Sequence, residues 1–265
     1  MRQLHHLWSG VVVLAALVIA VPALAADLAP TGTLRASFLA TNPVQARVDP
    51  QTGAITGPVA DLVRELARRL GVPFAITPVP DAAAVIDSVK THKSDIGFLA
   101  YEAARASQVE FSAPYALMAN AYAVRADSGI RSSADVDRAG VKIGATKGQS
   151  QEIYVSANMK NARVVVMPVM PSHEVLAGQL MDGTLDAFAA NRQRMEELVR
   201  TSPKLRVLPD NFLMIGQAIV VEKGDPARID TLNRFIADVI ASGFVKSSLD
   251  RAALVGVEVP PSGKR

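Results

Sequence analysis

Two stretches of this chain, "KSDIGFLA" (Lys93–Ala100) and "GTLDAFAA" (Gly183–Ala190), repeat one pattern about ninety residues apart. Each is a polar turn, then an Asp (Asp95, Asp186), then a short apolar strand. Each also closes the same series of elements. In the first half "LRASFL" reads as a strand, "PVADLVRELARRLGVP" as an amphipathic helix stopped by Gly71, and "FAITPV" as a strand. "DAAAVIDSVKTHKS" then reads as a helix before the strand "DIGFLA". In the second half "VKIGAT", "KGQSQEIYVSAN", "ARVVVMPV", "PSHEVLAGQLMDG" and "LDAFAA" follow in the same order, with Val175, Leu176, Gln179 and Leu180 on the helix face. A doubled β-α-β-α-β series predicts two similar α/β lobes with parallel-rich, helix-covered sheets and ligand groups at the carboxyl ends of the strands.

The connections predict a hinge. "NAYAVRADS" (Asn120–Ser128) and "GQAIVVEKGD" (Gly216–Asp225) read as strands that bracket the second unit. The tail "PARIDTLNRFIADVIASGFVKSSLDRA" reads as amphipathic helix, with Ile229, Leu232, Phe235, Ile236, Val239 and Ile240 on one side. If it packs on the first unit, the chain crosses twice and a cleft lies between the lobes. The expected division is a leader at 1–25, a first lobe of 26–119 plus 218–265, and a second lobe of 120–217.

The N-terminus bounds the compartment. Arg2 precedes an apolar run from Val11 to Val21, then Pro22 and "ALAA" (Ala23–Ala26), the form of a cleavable secretory signal. The run is short for a spanning helix. Removing Arg2 lowers the net charge from +3 to +2, and no dense basic cluster stands out, which argues against nucleic acid. The chain has no Cys, so it has neither disulfides nor a lipidation site, and its size must stabilise it through burial. A soluble periplasmic monomer that is not a lipoprotein is expected.

Catalytic and metal motifs are sparse. "GQSQE" (Gly148–Glu152) has Glu152 where a nucleophile elbow has its second Gly, which argues against Ser150 as a nucleophile. His92 and His173 read as isolated surface residues rather than metal ligands. "RQRMEELVR" reads as a solvated helix face. No phosphate loop or dinucleotide fingerprint occurs, so no cofactor, metal or catalytic residue is expected. Two features suit an anion. Arg105 lies just past a strand end and can hold a carboxylate with two charge-assisted bonds. "TKGQSQE" ends a strand and opens a helix, whose free N–H groups favour negative charge.

These segments resemble the periplasmic solute-binding proteins of the amino-acid ABC-transporter type, solute-binding family 3. The resemblance rests on Leu34-Arg35, "GPVADL" (Gly57–Leu62), "EAARASQVEFSAPY" (Glu102–Tyr115), "DVDRAGVKIGATKGQSQE" (Asp135–Glu152), "DGTLDAFAAN" (Asp182–Asn191) and "VVEKGDP" (Val220–Pro226), in the family's order over the mature chain. It implies a type II binding-protein fold of two lobes joined by a two-strand hinge. It also implies Arg105 as the clamp for a ligand carboxylate, with further hydrogen bonds from the backbone at Phe98 and Ala100. Gln149 and Ser150 occupy the two Thr positions that hold the same carboxylate from the second lobe.

Departures from the family pattern concern the other end of the ligand. Asn191 stands where an Asp holds the ligand's ammonium, and Leu39 replaces a second acid. The sandwiching aromatic residues are replaced by Asn42 and Ala82. A neutral amide is a poor partner for a buried ammonium. Glu102 is read as a partner of Arg105 or an exposed acid, ahead of a ligand contact. The resemblance implies a protein that captures a small carboxylate, an amino acid or related organic acid, and presents it to an ABC-transporter permease. A sensory role at a membrane receptor and a dehydratase-like enzyme are the alternatives.

Overall fold

Asp95 and Asp186 do the same work in the two halves of the chain. The computed structural model describes residues 27–261, so the expected leader lies outside the described residues. The first half runs β1 (Leu34–Leu39), a small hairpin β2 (Arg47–Val48) and β3 (Ile55–Thr56), α1 (Pro58–Leu70), β4 (Phe74–Val79), α2 (Ala82–Lys90) and β5 (Ile96–Ala100). Proline opens α1, where a missing N–H costs nothing, and Gly71 ends it in the left-handed region at φ 70. Asp81 caps α2 by accepting from Ala84 N at 2.8 Å. β4, β1 and β5 lie side by side in parallel.

The second half runs β7 (Lys142–Thr146), α4 (Ser150–Asn158), β8 (Arg163–Met167), α5 (His173–Met181) and β9 (Ala187–Asn191). Its strands take the matching order β8-β7-β9, again parallel. Asp95 accepts from Arg35 N at 2.8 Å while its own N–H donates to Arg35 O at 2.8 Å. Asp186 accepts from Lys142 N and donates to Lys142 O, both at 2.9 Å. Each Asp therefore stitches the start of a third strand to the start of a first strand, which is the physical content of the repeat. In α5, Leu176 and Leu180 are buried as expected, but Val175 is 51% exposed, because it falls on the outer face of a helix that covers only one side of its sheet.

The two halves join through β6 (Glu110–Arg125) and β11 (Leu213–Val221), which pair antiparallel with each other. β11 also pairs with β5, and β6 with β9, giving one continuous order β4-β1-β5-β11-β6-β9-β7-β8. β6 begins ten residues before the segment expected from the sequence, so Phe-Ser-Ala-Pro-Tyr (Phe111–Tyr115) is part of the strand. Pro114 lies opposite Ala218 where the register shifts, a place where a residue without an N–H is tolerated. The expected lobe boundaries, 119/120 and 217/218, thus fall inside the crossing strands.

The tail returns to the first half as α7 (Pro226–Ala241) and α8 (Phe244–Arg251). The expected single helix is broken at Gly243, φ 75. Leu232, Phe235, Ile236 and Val239 pack into one core with Leu34, Phe38, Leu62 and Phe98, so the chain crosses twice. Separate cores in the second half gather around Ile143 and Val155, and around Leu176 and Phe188. β12 (Val257–Glu258) then adds to β6 at Leu117 and Met118. α6 (Arg192–Thr201) buries Met195 and Leu198 completely and is therefore an amphipathic packing helix, more than the solvated face its charges suggested. Among the described residues no helix is long and apolar enough to cross a membrane.

Candidate functional site

Four strand ends converge on one cleft. Leu39 ends β1, Ala100 ends β5, Asn191 ends β9, and Gln149 follows β7; all four line it. The crossing strand β6 contributes Met118 to the lining. The cavity measures about 20 Å³, room for about one water molecule. Its walls are drawn from both halves, as expected for a site at the carboxyl ends of two similar sheets.

Arg105 dominates the site. It sits in a single helical turn, α3 (Ala103–Ala106), immediately after β5, and is 6% exposed. Nη1 donates to Ala100 O at 2.9 Å, and Nη2 crosses the cleft to Gly148 O at 2.7 Å. Burial pushes its pKa down from the usual guanidinium range, opposed by the charge of Glu102. Glu102 forms no ion pair with it among the described residues and does not line the cleft. It is half-buried at the start of α3, an acid near the clamp rather than a partner holding it.

The opposite wall is the start of α4. Gly148 adopts φ 72, and its N–H donates to Glu152 Oε2 at 3.1 Å. Gln149 precedes the helix without a side-chain cap bond, and Ser150 opens it. Ser150 is 2% exposed, and its Oγ has no hydrogen-bond partner among the described residues. A buried hydroxyl beside free first-turn N–H groups suits an oxygen acceptor from a ligand.

The remaining polar lining is amide. Asn42 is buried in the turn after β1 and accepts from Val44 N at 3.2 Å. Asn191 is buried at the head of α6 and accepts from Arg194 N at 2.9 Å. Gln45 accepts from Leu39 N at 3.0 Å and donates to Phe98 O and Gln217 Oε1, each at 3.2 Å. Gln151 donates to Asn120 Oδ1, and Asn120 Nδ2 in turn reaches Met118 O and Leu213 O on the two crossing strands. This last network ties the second wall directly to the two crossing strands.

Arg105, Ala100, Gln149, Ser150, Asn191 and Asn42 are thus brought together, as is Leu39. Phe98 is not: its ring is fully buried, edge-on to Tyr115 with centroids 5.9 Å apart, and its carbonyl is taken by Gln45. The Ala100 carbonyl is likewise taken, by Arg105 itself. Of the backbone groups expected to serve a ligand there, the carbonyls of Phe98 and Ala100 thus already accept from side chains of the protein. Ala82 heads α2 and does not reach the lining. His92 is exposed, 3.6 Å from Glu222. His173, by contrast with the expected surface position, is half-buried with Nε2 unpaired, and burial beside Arg194 lowers its pKa.

Sequence reasoning missed Thr41, Gln45, Gln151, Met118 and Met170. Gln45 lies in a loop whose Pro and Gly content signalled only irregularity. Gln151 carried one usable signal, since it lies on the first turn of the helix that opens at Ser150. Among the described residues Arg105 is the one charged side chain lining the cleft. Among the described residues no group of three His, Cys, Asp or Glu is placed to hold a metal ion.

Comparison with known proteins agrees with this architecture. The model of the bacterial extracellular solute-binding proteins, family 3, matches residues 35–251. A mutant of the ArgBP of T. maritima superposes with a TM-score of 0.71 at 24% identity, covering 87% of this chain and 99% of that one. The amino-acid transporter protein AbpA of Streptococcus pneumoniae, solved bound to L-arginine, gives 0.71 at 22% identity, covering 85% and 96%. AncCDT-1, an ancestral amino-acid-binding protein described as a precursor of cyclohexadienyl dehydratase, gives 0.70 at 21% identity, covering 85% and 96%. A search of curated proteins gives no match. With two α/β halves, two crossing strands, a shared cleft and a family match over most of its length, this chain belongs to family 3 of the bacterial extracellular solute-binding proteins.

Proposed function

We propose that the protein captures a small carboxylate-bearing solute between its lobes in the periplasm and delivers it, closed, to an ABC-transporter permease. The observation that carries this reading is Arg105, a buried guanidinium at the end of β5 that already reaches both walls of the cleft. A flat, charge-assisted fork at that place suits a carboxylate. A ligand held from both walls favours the closed form by its differential contacts.

The reading is of a binder that releases its ligand unchanged. Among the described residues no Asp, Glu, His, Lys, Tyr or Cys lines the cleft, which supports this reading over one with proton transfer at the site. Although AncCDT-1 is described as a dehydratase precursor, the chemistry of this lining does not favour a dehydratase here.

A thermal-shift screen of organic acids and amino acids tests the first step. A carboxylate at about 100 times its Kd adds roughly 2.7 kcal/mol of stability. NMR should recover the bound compound unchanged after prolonged incubation; conversion to a product would overturn the reading. Co-purification of an ABC permease from solubilised membranes with the ligand-loaded protein tests delivery, and capture of a chemoreceptor instead would favour sensing.

A further inference from the structure

The buried amides of the cleft are not interchangeable in what they offer a ligand. Asn191 Oδ1 accepts from Arg194 N at the head of α6, and Asn42 Oδ1 accepts from Val44 N. A backbone N–H requires an acceptor, so these contacts fix which end of each amide is oxygen. Neither Nδ2 makes a hydrogen bond within the described residues, and both side chains line the cleft. Each therefore presents a donor. Gln217, opposite Ala100 on β11 and outside the lining, has its Nε2 buried without a partner among the described residues, its Oε1 accepting from Gln45. Ser150 Oγ is also unpartnered among the described residues, and of the described lining Arg105 adds the only charge, again a donor. Gln151 is the counterpart: its Nε2 is occupied by Asn120, which leaves Oε1 as a neutral acceptor.

From this inventory we infer that the cleft selects a small carboxylate bearing a carbonyl or hydroxyl oxygen in place of an amine: a 2-oxo or 2-hydroxy monocarboxylate. An ammonium brings three donors and a positive charge. In this cleft it would meet donors at Asn42 and Asn191, a guanidinium, and no carboxylate, so its charge would be buried unpaired. A keto oxygen accepts from the same donors and carries no charge to desolvate. A hydroxyl can in addition donate to Gln151 Oε1. One cation in the lining matches one carboxylate, so a second acid group would also be buried without a countercharge.

The inference rests on the reading of Arg105 as the carboxylate clamp, and the test separates the two. Calorimetry compares matched skeletons: pyruvate and L-lactate with L-alanine, and 2-oxoisovalerate with L-valine. The expected result is at least tenfold tighter binding of the oxo or hydroxy member of each set. Asn191→Asp keeps an oxygen on Arg194 N, so the helix cap is retained, while it replaces the free donor by a negative acceptor. That variant is expected to shift the ratio at least tenfold toward the amine. Amino acids that bind wild type as tightly as their oxo partners would overturn the inference. The carboxylate reading would survive that outcome if Arg105→Ala abolished binding. Failure of every carboxylate in both series, with thermal shifts indifferent to Arg105→Ala, would overturn the clamp and the inference together.

Discussion

Arg105 and Gly148 meet across the cleft, Nη2 to carbonyl oxygen at 2.7 Å. The donor belongs to the turn after β5 and the acceptor to the loop before α4, so one guanidinium spans the two walls. Its second contact, to Ala100 O, anchors it in the first half. The residue proposed to recognise the ligand therefore also bonds the two halves to each other. Under the proposed function, ligand capture and closure would be linked through this one side chain.

A second side-chain contact joins the two halves. Arg47, in the β2–β3 hairpin of the first half, forms an ion pair with Glu197 on α6 of the second. Burial would raise the Glu197 carboxyl, but its hydrogen bonds to Gln193 and Arg47 outweigh this and hold it below the usual carboxylate range. A depressed carboxylate stabilises the state that contains the pair above its ordinary pKa. That contribution is lost as pH falls through the lowered value. Small-angle scattering should therefore show wild type expanding as the pH falls below the ordinary carboxylate range, a pH dependence that Glu197→Gln, which lacks the titrating group, should not share. At neutral pH Glu197→Gln should already have a larger radius of gyration than wild type. Identical radii at neutral pH would remove Glu197 from closure.

The two stitching aspartates should differ in cost. Asp95 is 4% exposed and accepts from Arg35 through N, Nε and Nη2, whereas Asp186 accepts from the backbone N of Lys142. Breaking a buried pair costs about 3–5 kcal/mol, and partial exposure of the Arg35 side chain places Asp95→Ala nearer roughly 2–3 kcal/mol. Losing one hydrogen bond puts Asp186→Ala near about 1 kcal/mol. Urea unfolding of both variants measures the contrast, and equal losses would refute the difference in role.

Three glycines give opposite expectations. A Cβ on Gly97 would lie 2.6 Å from Val85 Cγ1, and one on Gly144 would lie 2.6 Å from Leu185 Cδ1. Alanine at either site should cost about 1–3 kcal/mol by overpacking, against the α2 valines at Gly97 and against Leu185 and Phe188 at Gly144. Gly178 is exposed inside α5, with nothing within 4 Å of a built Cβ. Gly178→Ala should instead stabilise by about 0.5–1 kcal/mol through helix propensity. Denaturation midpoints moving the same way in all three would contradict this packing.

The doubled series of strands and helices was legible because period and punctuation are local properties. Asp95 and Asp186 marked the repeat, and the structure gives them matching bonds to Arg35 and Lys142. The start of β6 was not legible, because Pro114 argues locally for a turn and only a bulge opposite Ala218 makes room for it in a strand. Of the site, Arg105 stood out because a lone cation after an apolar strand is a local anomaly. Gln45 and Gln217 did not, although they meet at 3.2 Å, because they are 172 residues apart and nothing local announces the contact. The direction each amide faces depends on such partners, so the donor character of Asn191 and Asn42 emerged only with Arg194 and Val44 in place.

The central claim is that Arg105 holds a ligand carboxylate. Titration calorimetry of the tightest-binding carboxylate against wild type, Arg105→Lys and Arg105→Ala tests it most directly, with thermal unfolding confirming that each variant is folded. Truncation should weaken binding by about 2–5 kcal/mol, and Lys, a charge without the flat fork, should fall between. Unchanged affinity in a folded Arg105→Ala protein would contradict the account.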